Sequence, residues 1–241
     1  MIISHTHRYL FVELPRTGST AISAELREMY DGEPILHKHA TYEEFLKVAS
    51  PDEKKYLVIS GIRNPLDDAV SRYFKLRTDH KGRFSRGSTR HKRLLNRIID
   101  RRTFGFVKRS NAAFPEYFMR HHLLPYDRWS SLSHDRFDFI IRFEHLAEDF
   151  ETALRRLGIE PRRPLPTVNA TASRSRDYRD YFPPYTRGRA RRVFGPFMER
   201  WGYSFPAEWD VAGVTRGDRI GYAIFSFLAS LYWRHVRPRG I

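Results

Sequence analysis

Cysteine is absent from all 241 residues, which excludes disulfide scaffolds, cysteine-ligated zinc fingers, thiol nucleophiles and cysteine-held iron–sulfur clusters. A reducing compartment is compatible with that absence and not demanded by it. Negative charge is also scarce: 28 Asp and Glu stand against 43 Lys and Arg, for a formal net charge of +15. A chain this basic has anions as its natural ligands, whether nucleic acid, phosphorylated or sulfated cofactors, acidic glycans or anionic lipid. Long apolar runs are few. Residues 1–7 lack a basic start followed by an apolar stretch of signal-peptide length, so the expectation is a cytoplasmic chain, with a peripheral place at a membrane as its variant. The one long apolar stretch, residues 220–236, is interrupted by Ser226 and Ser230 and stands at the short margin for a membrane span. What the chain does have is 41% apolar residues, enough for a full core at this length. Its size fits one large domain, expected over residues 1–217, followed by an apolar helix with a basic end over 218–241.

Apolar runs and turn residues alternate in order. Arg8-Tyr-Leu-Phe-Val-Glu-Leu14 predicts a buried strand, and Pro15-Arg-Thr-Gly-Ser-Thr20 leads from it to Ile22, Leu26 and Met29 at helical spacing. Thr41-Tyr-Glu-Glu44 is a capping box that opens a helix closed by Ser50-Pro51. A second strand, Tyr56-Leu-Val-Ile-Ser-Gly-Ile62, runs into Arg63-Asn-Pro65, where Asn64 suits a cap and Pro65 the first helical position. A third, Asp138-Phe-Ile-Ile-Arg-Phe143, precedes a helix with Phe150, Ala153 and Leu154 inward and Gly158 as its stop. The last helix puts Ala190, Val193, Phe194, Phe197, Met198 and Trp201 on one face and ends at Gly202. Strands alternating with helices predict an α/β fold with a central parallel sheet flanked by helices.

Two strand-to-helix junctions can carry chemistry. At 15–20, free backbone N–H groups and the helix dipole favour an anion; Gly18 permits close approach, Arg16 adds charge, and Ser19 and Thr20 add hydroxyls. The spacing is not that of the nucleotide-triphosphate loop, and a tight turn with a helix cap is the plainer reading of it. At the second junction Arg63 ends a strand and Ser71 lies two turns into the helix, on the side where the strand delivers Arg63. A surface arginine and an ordinary helical serine are the plain alternative. In a parallel sheet, however, both junctions open at the carboxyl edge, where ligands bind.

These residues carry a resemblance to sulfotransferases that use 3′-phosphoadenosine 5′-phosphosulfate (PAPS). Phe11-Val-Glu-Leu-Pro-Arg-Thr-Gly-Ser-Thr20 resembles that family's 5′-phosphosulfate loop, and Ile62-Arg-Asn-Pro-Leu-Asp-Asp-Ala-Val-Ser-Arg-Tyr-Phe74 its 3′-phosphate motif. His121-His-Leu-Leu-Pro-Tyr126, Phe143-Glu-His-Leu-Ala-Glu-Asp149, Asn169-Ala-Thr171, Tyr181 and Arg200-Trp-Gly-Tyr203 are similar to the carbohydrate sulfotransferase branch. The likeness runs over residues 8 to 205. It implies a P-loop nucleotide-kinase-like fold in which Arg16, Thr17, Gly18, Ser19 and Thr20 hold the 5′-phosphosulfate, and Arg63 and Ser71 the 3′-phosphate. It implies transfer of a sulfuryl group from PAPS to a hydroxyl acceptor, a glycan or glycolipid, with PAP as product and no metal required. One departure stands out: the family usually has Lys where this chain has Arg16, a planar fork in place of a point charge.

The transfer needs a base for the hydroxyl proton. The branch this chain resembles often places it in a His-x-His or Lys-His segment, and His37-Lys38-His39 precedes a helix expected near the same edge. His39 is the first choice and His37 the second, against a solvated loop histidine. Glu13 and Glu144 are alternative acceptors or structural hydrogen-bond partners. His121 and His122 point in different directions and have no carboxylate at ligand spacing, so no metal site is expected. Residues 81–109 read as a solvated basic face, or as a surface for an anionic acceptor. The rival functions are a PAPS-binding protein without catalysis, a P-loop kinase and a basic nucleic-acid-binding protein. A kinase should show a Lys-Ser/Thr loop and acidic residues for magnesium, and a nucleic-acid binder leaves the two anion loops unexplained; no nucleic-acid partner is expected. For residues 220–236 the alternatives are a core helix, a homo-oligomer contact or a helix on an anionic membrane surface.

Overall fold

The computed structural model describes residues 1–82, 84–85, 94–127, 136–166 and 177–232. Asn169, Thr171, the basic positions at 83, 86, 90, 92 and 93, and Trp233, Arg234, Val236, Arg237 and Arg239 lie outside the described residues. The fold is α/β and packs as two compact units. One comprises Met1–Asn64, Arg128–Ala170 and Ser226–Ile241; the other comprises Pro65–Asp127 and Thr171–Phe225.

The first unit is built on a five-stranded sheet. In chain order its elements are β1 Ile2–Ser4, β2 Tyr9–Val12, α1 Ser19–Met29, β3 Glu33–Pro34, α2 Tyr42–Val48 and β4 Leu57–Ile62. After the second unit's first stretch come β5 Phe139–Arg142 and α6 Leu146–Arg156. The strand order is β3-β1-β2-β4-β5. β2, β4 and β5 are parallel neighbours, with Phe11 opposite Ile59 and Ser60 opposite Ile140. The expected parallel sheet is therefore present at the centre, but the whole sheet is mixed. β1 folds back antiparallel on β2, and β3 pairs antiparallel with β1 at the edge.

Alternation along the central strands explains their largely apolar sequence, in which the one hydroxyl of β4, Ser60, is buried and donates to the Val12 carbonyl at 2.8 Å. Tyr9, Phe11 and Ile59 face one layer with Ile22 and Leu26 of α1 and Phe150 and Leu154 of α6. Leu10, Val12 and Val58 face the other, with Tyr42 and Phe45 of α2. A strand buried on both faces has no solvent side on which to carry polar residues. Thr41 accepts the Glu44 N–H at 3.2 Å and Glu44 takes the Thr41 N–H at 2.6 Å, so α2 opens with the capping box its sequence predicts.

The second unit is helical among its described residues: α3 Pro65–Arg77, α4 Leu94–Arg109, α5 Phe114–His121, α7 Pro184–Arg200 and the start of α8 Arg216–Leu231. Its core joins Leu66, Val70 and Tyr73 to Phe114, Phe118, Phe182 and Phe194. Aromatic rings meet edge to face, tilted and stacked there, Phe114 and Phe182 edge to face at 4.8 Å and Phe114 and Phe118 stacked at 5.8 Å. His121 and His122 belong to this aromatic packing: the His121 ring lies 5.5 Å from both Phe106 and Tyr117, and His122 lies 5.1 Å from Phe118. Burial holds the His121 pKa below its ordinary value, reinforced by Arg120 and Arg72. On α4, Arg101, Arg102, Lys108 and Arg109 are exposed, as a solvated basic face requires.

Candidate functional site

In the first unit, the parallel strands β2, β4 and β5 end side by side, and each passes a loop that bears on the same edge. After β2, Thr17 and Ser19 donate their hydroxyl protons to the Leu14 carbonyl at 3.0 and 2.8 Å. Both are buried, so their side chains shape the loop. Gly18 is the N-cap at φ +76°, and among the described residues no side chain caps α1. The first-turn amides of an α-helix have no acceptor within it, so this end presents N–H donors with the positive end of the dipole behind them. Gly18 is favoured because its φ lies in the left-handed region; a Cβ there would also press on the terminal methyls of Leu146 at 2.8 Å, which can shift. Arg16 adopts φ +69° and His39 φ +66°. Non-glycine residues rarely hold such angles unless the surroundings over-determine them.

At the end of β4, Arg63 is 7% exposed. Its guanidinium lies over the Phe143 ring at 4.0 Å and donates from Nη1 to the Arg16 carbonyl oxygen at 3.3 Å. One side chain thus joins the ends of all three parallel strands: it leaves β4, rests on the residue after β5, and holds the loop after β2. The Glu144 carboxylate accepts the Asn64 N–H at 2.7 Å, fixing the turn that carries Arg63. The loop after β2 lies so close to β4 that a Cβ on Gly61 would meet Thr17 Oγ1 at 2.9 Å and the Thr17 carbonyl oxygen at 3.0 Å. Gly61→Ala is therefore expected to destabilise the protein by about 1–3 kcal/mol through overpacking. Urea unfolding checks this, and an unchanged midpoint would mean that the loop gives way freely.

The histidine segment reaches the same edge from the other face of the sheet. His39 Nδ1 lies 2.8 Å from the Glu13 carbonyl oxygen. A carbonyl only accepts, so Nδ1 carries the proton and the neutral ring presents the Nε2 lone pair. Burial lowers the His39 pKa, the bond to the Glu13 carbonyl opposes this, and the charge of Lys38 adds to the lowering; the net shift is downward. His39 is thus a neutral base at pH 7 with a fixed tautomer. For His37, the structure shows its carbonyl oxygen accepting the Ala40 N–H at 3.1 Å.

Glu13 has a structural part. Burial opposes its charge, but the Ser23 hydroxyl at 2.6 Å and the Met1 ammonium at 3.0 Å outweigh that, and its pKa stands below the ordinary value. Its carboxylate orders α1 and the amino-terminal strand, while its carbonyl orients His39.

The structure brings Arg16, Thr17, Gly18, Ser19, Thr20, Arg63 and His39 to one edge of the first unit. Ser71 belongs to the second unit, fully buried on α3. Lys38 was not singled out by its sequence context: its Nζ donates to Thr20 Oγ1 at 3.1 Å, setting an ammonium at the first turn of α1. Only its place between two candidate histidines signals it. Phe143 and Gly61 were likewise missed as site residues, because support for a guanidinium and closeness of a loop are properties of the folded chain. Among the described residues no group of three His, Asp or Glu is placed to hold a metal. Compared with protein-family models, curated proteins and solved structures, the chain matches none, so the chemistry of this edge rests on its own geometry.

Proposed function

We propose that this protein is a PAPS-dependent sulfotransferase with a P-loop nucleotide-kinase-like fold, acting on a hydroxyl acceptor of carbohydrate type. The observation that carries the reading is the bond from Arg63 to the Arg16 carbonyl, which joins the two anion-binding junctions into one site beside a neutral histidine. The donor set suits the ligand: Arg16, Arg63 and Lys38 supply positive charge, and the first turn of α1 supplies amide N–H groups, for a molecule with phosphate at both ends of its ribose. The nearby carboxylates of Glu13 and Glu144 are engaged by protein groups. This disfavours the kinase reading, in which acidic residues are needed for magnesium.

When bound, PAPS supplies the sulfuryl group and leaves as PAP. His39 Nε2 takes the proton of the attacking hydroxyl, with the Glu13 carbonyl holding the ring through Nδ1–H as it becomes cationic. Arg63 anchors the 3′-phosphate. The amides of Ser19 and Thr20, with Arg16, receive the 5′-phosphate and the charge that grows on it. Lys38 brings to this turn the compact ammonium that Arg16 does not supply. Lys38→Ala is therefore expected to lower kcat about ten- to a hundredfold at saturating PAPS. An unchanged kcat would leave Lys38 as a surface residue.

The proposal is tested by turnover of PAPS with a panel of carbohydrate hydroxyl acceptors, with ATP and magnesium as control. Sulfate transfer from PAPS alone supports it, whereas phosphate transfer from ATP overturns it in favour of a kinase. The arginine at position 16 favours a second reading, a PAPS-binding protein without catalysis. Tight PAP binding with no turnover, restored by Arg16→Lys, is the outcome that selects it.

A further inference from the structure

Surface helices ordinarily turn apolar residues inward and polar residues to water. α8 does the reverse. Asp218 is held by an ion pair to Arg191 at 3.4 Å and takes the Thr215 N–H at 3.0 Å; Arg219 pairs with Glu199 at 3.0 Å. Tyr222 and Ser226, on the same side as Asp218, are buried. Outward stand Ile220 at 60% exposure, Ile224 at 56%, Phe227 at 64%, Leu228 at 58% and Leu231 at 38%. Their spacing of four, three, one and three residues makes one continuous stripe along the helix. Exposed apolar stripes of this kind mark a surface that is covered in use.

We propose that this stripe is a docking surface for an anionic lipid bilayer, with α8 lying in the plane of the head groups. Charge selects the occupant. The chain carries +15, Arg216 is exposed at the start of the helix, and the sequence after it continues with Trp233, Arg234, Arg237 and Arg239. Arg216 at the start of the helix and the arginines that follow in sequence suit lipid phosphates, whereas a second copy would bring an equally basic chain against this one. The 16 residues span about 24 Å, and no described helix is long and apolar enough to cross a membrane. At about 24 Å the described helix is shorter than a hydrocarbon core of about 30 Å, which suits a place along the surface. This inference does not depend on the sulfotransferase reading.

The full chain should sediment with vesicles of phosphatidylcholine containing one third phosphatidylglycerol and much less with pure phosphatidylcholine. The double variant Ile224→Asp with Phe227→Asp should lose at least about tenfold in vesicle affinity while keeping its circular dichroism, since both side chains already face solvent. Because the chain has no cysteine, Leu228→Cys can be labelled uniquely with an environment-sensitive dye. That dye should shift to the blue and brighten on anionic vesicles, and the same dye on Lys47→Cys, an exposed position on α2, should not. Absence of sedimentation, or sedimentation unaltered by the double variant, overturns the proposal. So does a dye shift that appears without lipid and follows protein concentration together with dimer formation, which would assign the stripe to a second copy.

Discussion

His39→Ala is expected to lower kcat about 10²–10⁴-fold while PAP affinity and the far-ultraviolet circular dichroism stay as they are, the loss appropriate to a positioned general base. The tautomer is set at Nδ1 of His39. Its proton is committed to the Glu13 carbonyl at 2.8 Å, so the only lone pair left on the neutral ring is at Nε2. Burial of the ring, the leading cause of its lowered pKa, keeps it neutral. The sign of the pH dependence follows. Catalysis requires the unprotonated ring, so kcat/KM should fall as pH drops through the His39 pKa, and this acidic limb should lie below the ordinary histidine value of about 6.5. A limb above that value, or one that persists in His39→Ala, assigns the base elsewhere. If turnover survives in His39→Ala and falls in His37→Ala, the two histidines exchange roles.

Arg63→Ala is expected to weaken PAP binding by about 2–5 kcal/mol, or at least some thirtyfold in Kd by calorimetry. Two contributions add. The variant removes a desolvated guanidinium from the anion, and it frees the Arg16 carbonyl from the contact that ties the loop after β2 to the end of β4. Arg63→Lys separates them. It restores charge without the planar group that rests on Phe143 and reaches Arg16, so it should recover only part of the affinity. Unchanged affinity in Arg63→Ala would remove Arg63 from the phosphate site and, with it, the observation on which the functional reading rests.

The elements around the site were readable because each is specified locally. Tyr9 to Val12 is apolar throughout and Leu57 to Ile62 nearly so, with Ser60 and Gly61 as its small exceptions, the mark of strands covered on both faces. Thr41 and Glu44 stand at the spacing of a reciprocal cap, and Gly158 and Gly202 take the positive φ that ends a helix. β1 was not readable. Three residues carry too little periodicity to distinguish a strand from an end, and only pairing with β2 makes Ile2 and Ile3 part of a sheet. β3, two exposed residues at the edge, is defined by its hydrogen bonds to β1 alone.

The site divides along the same line. By itself the sequence determined which residue types stand at the strand ends: a glycine loop with Arg16, an arginine at 63, and a pair of histidines before a capped helix. It also determined that α8 is too apolar for an ordinary surface helix. Only the tertiary structure decided which of those residues meet. That Arg63 reaches Arg16, that Lys38 reaches Thr20, and that His39 is held by a backbone oxygen are contacts over 47, 18 and 26 residues of chain. Local pattern cannot encode such contacts, because they depend on the order of strands in the sheet. The same holds for the direction in which α8 faces. Its apolar residues lie on several sides in sequence, and only the folded chain shows Asp218 and Arg219 paired with α7, Tyr222 and Ser226 buried, and Ile224 and Phe227 exposed.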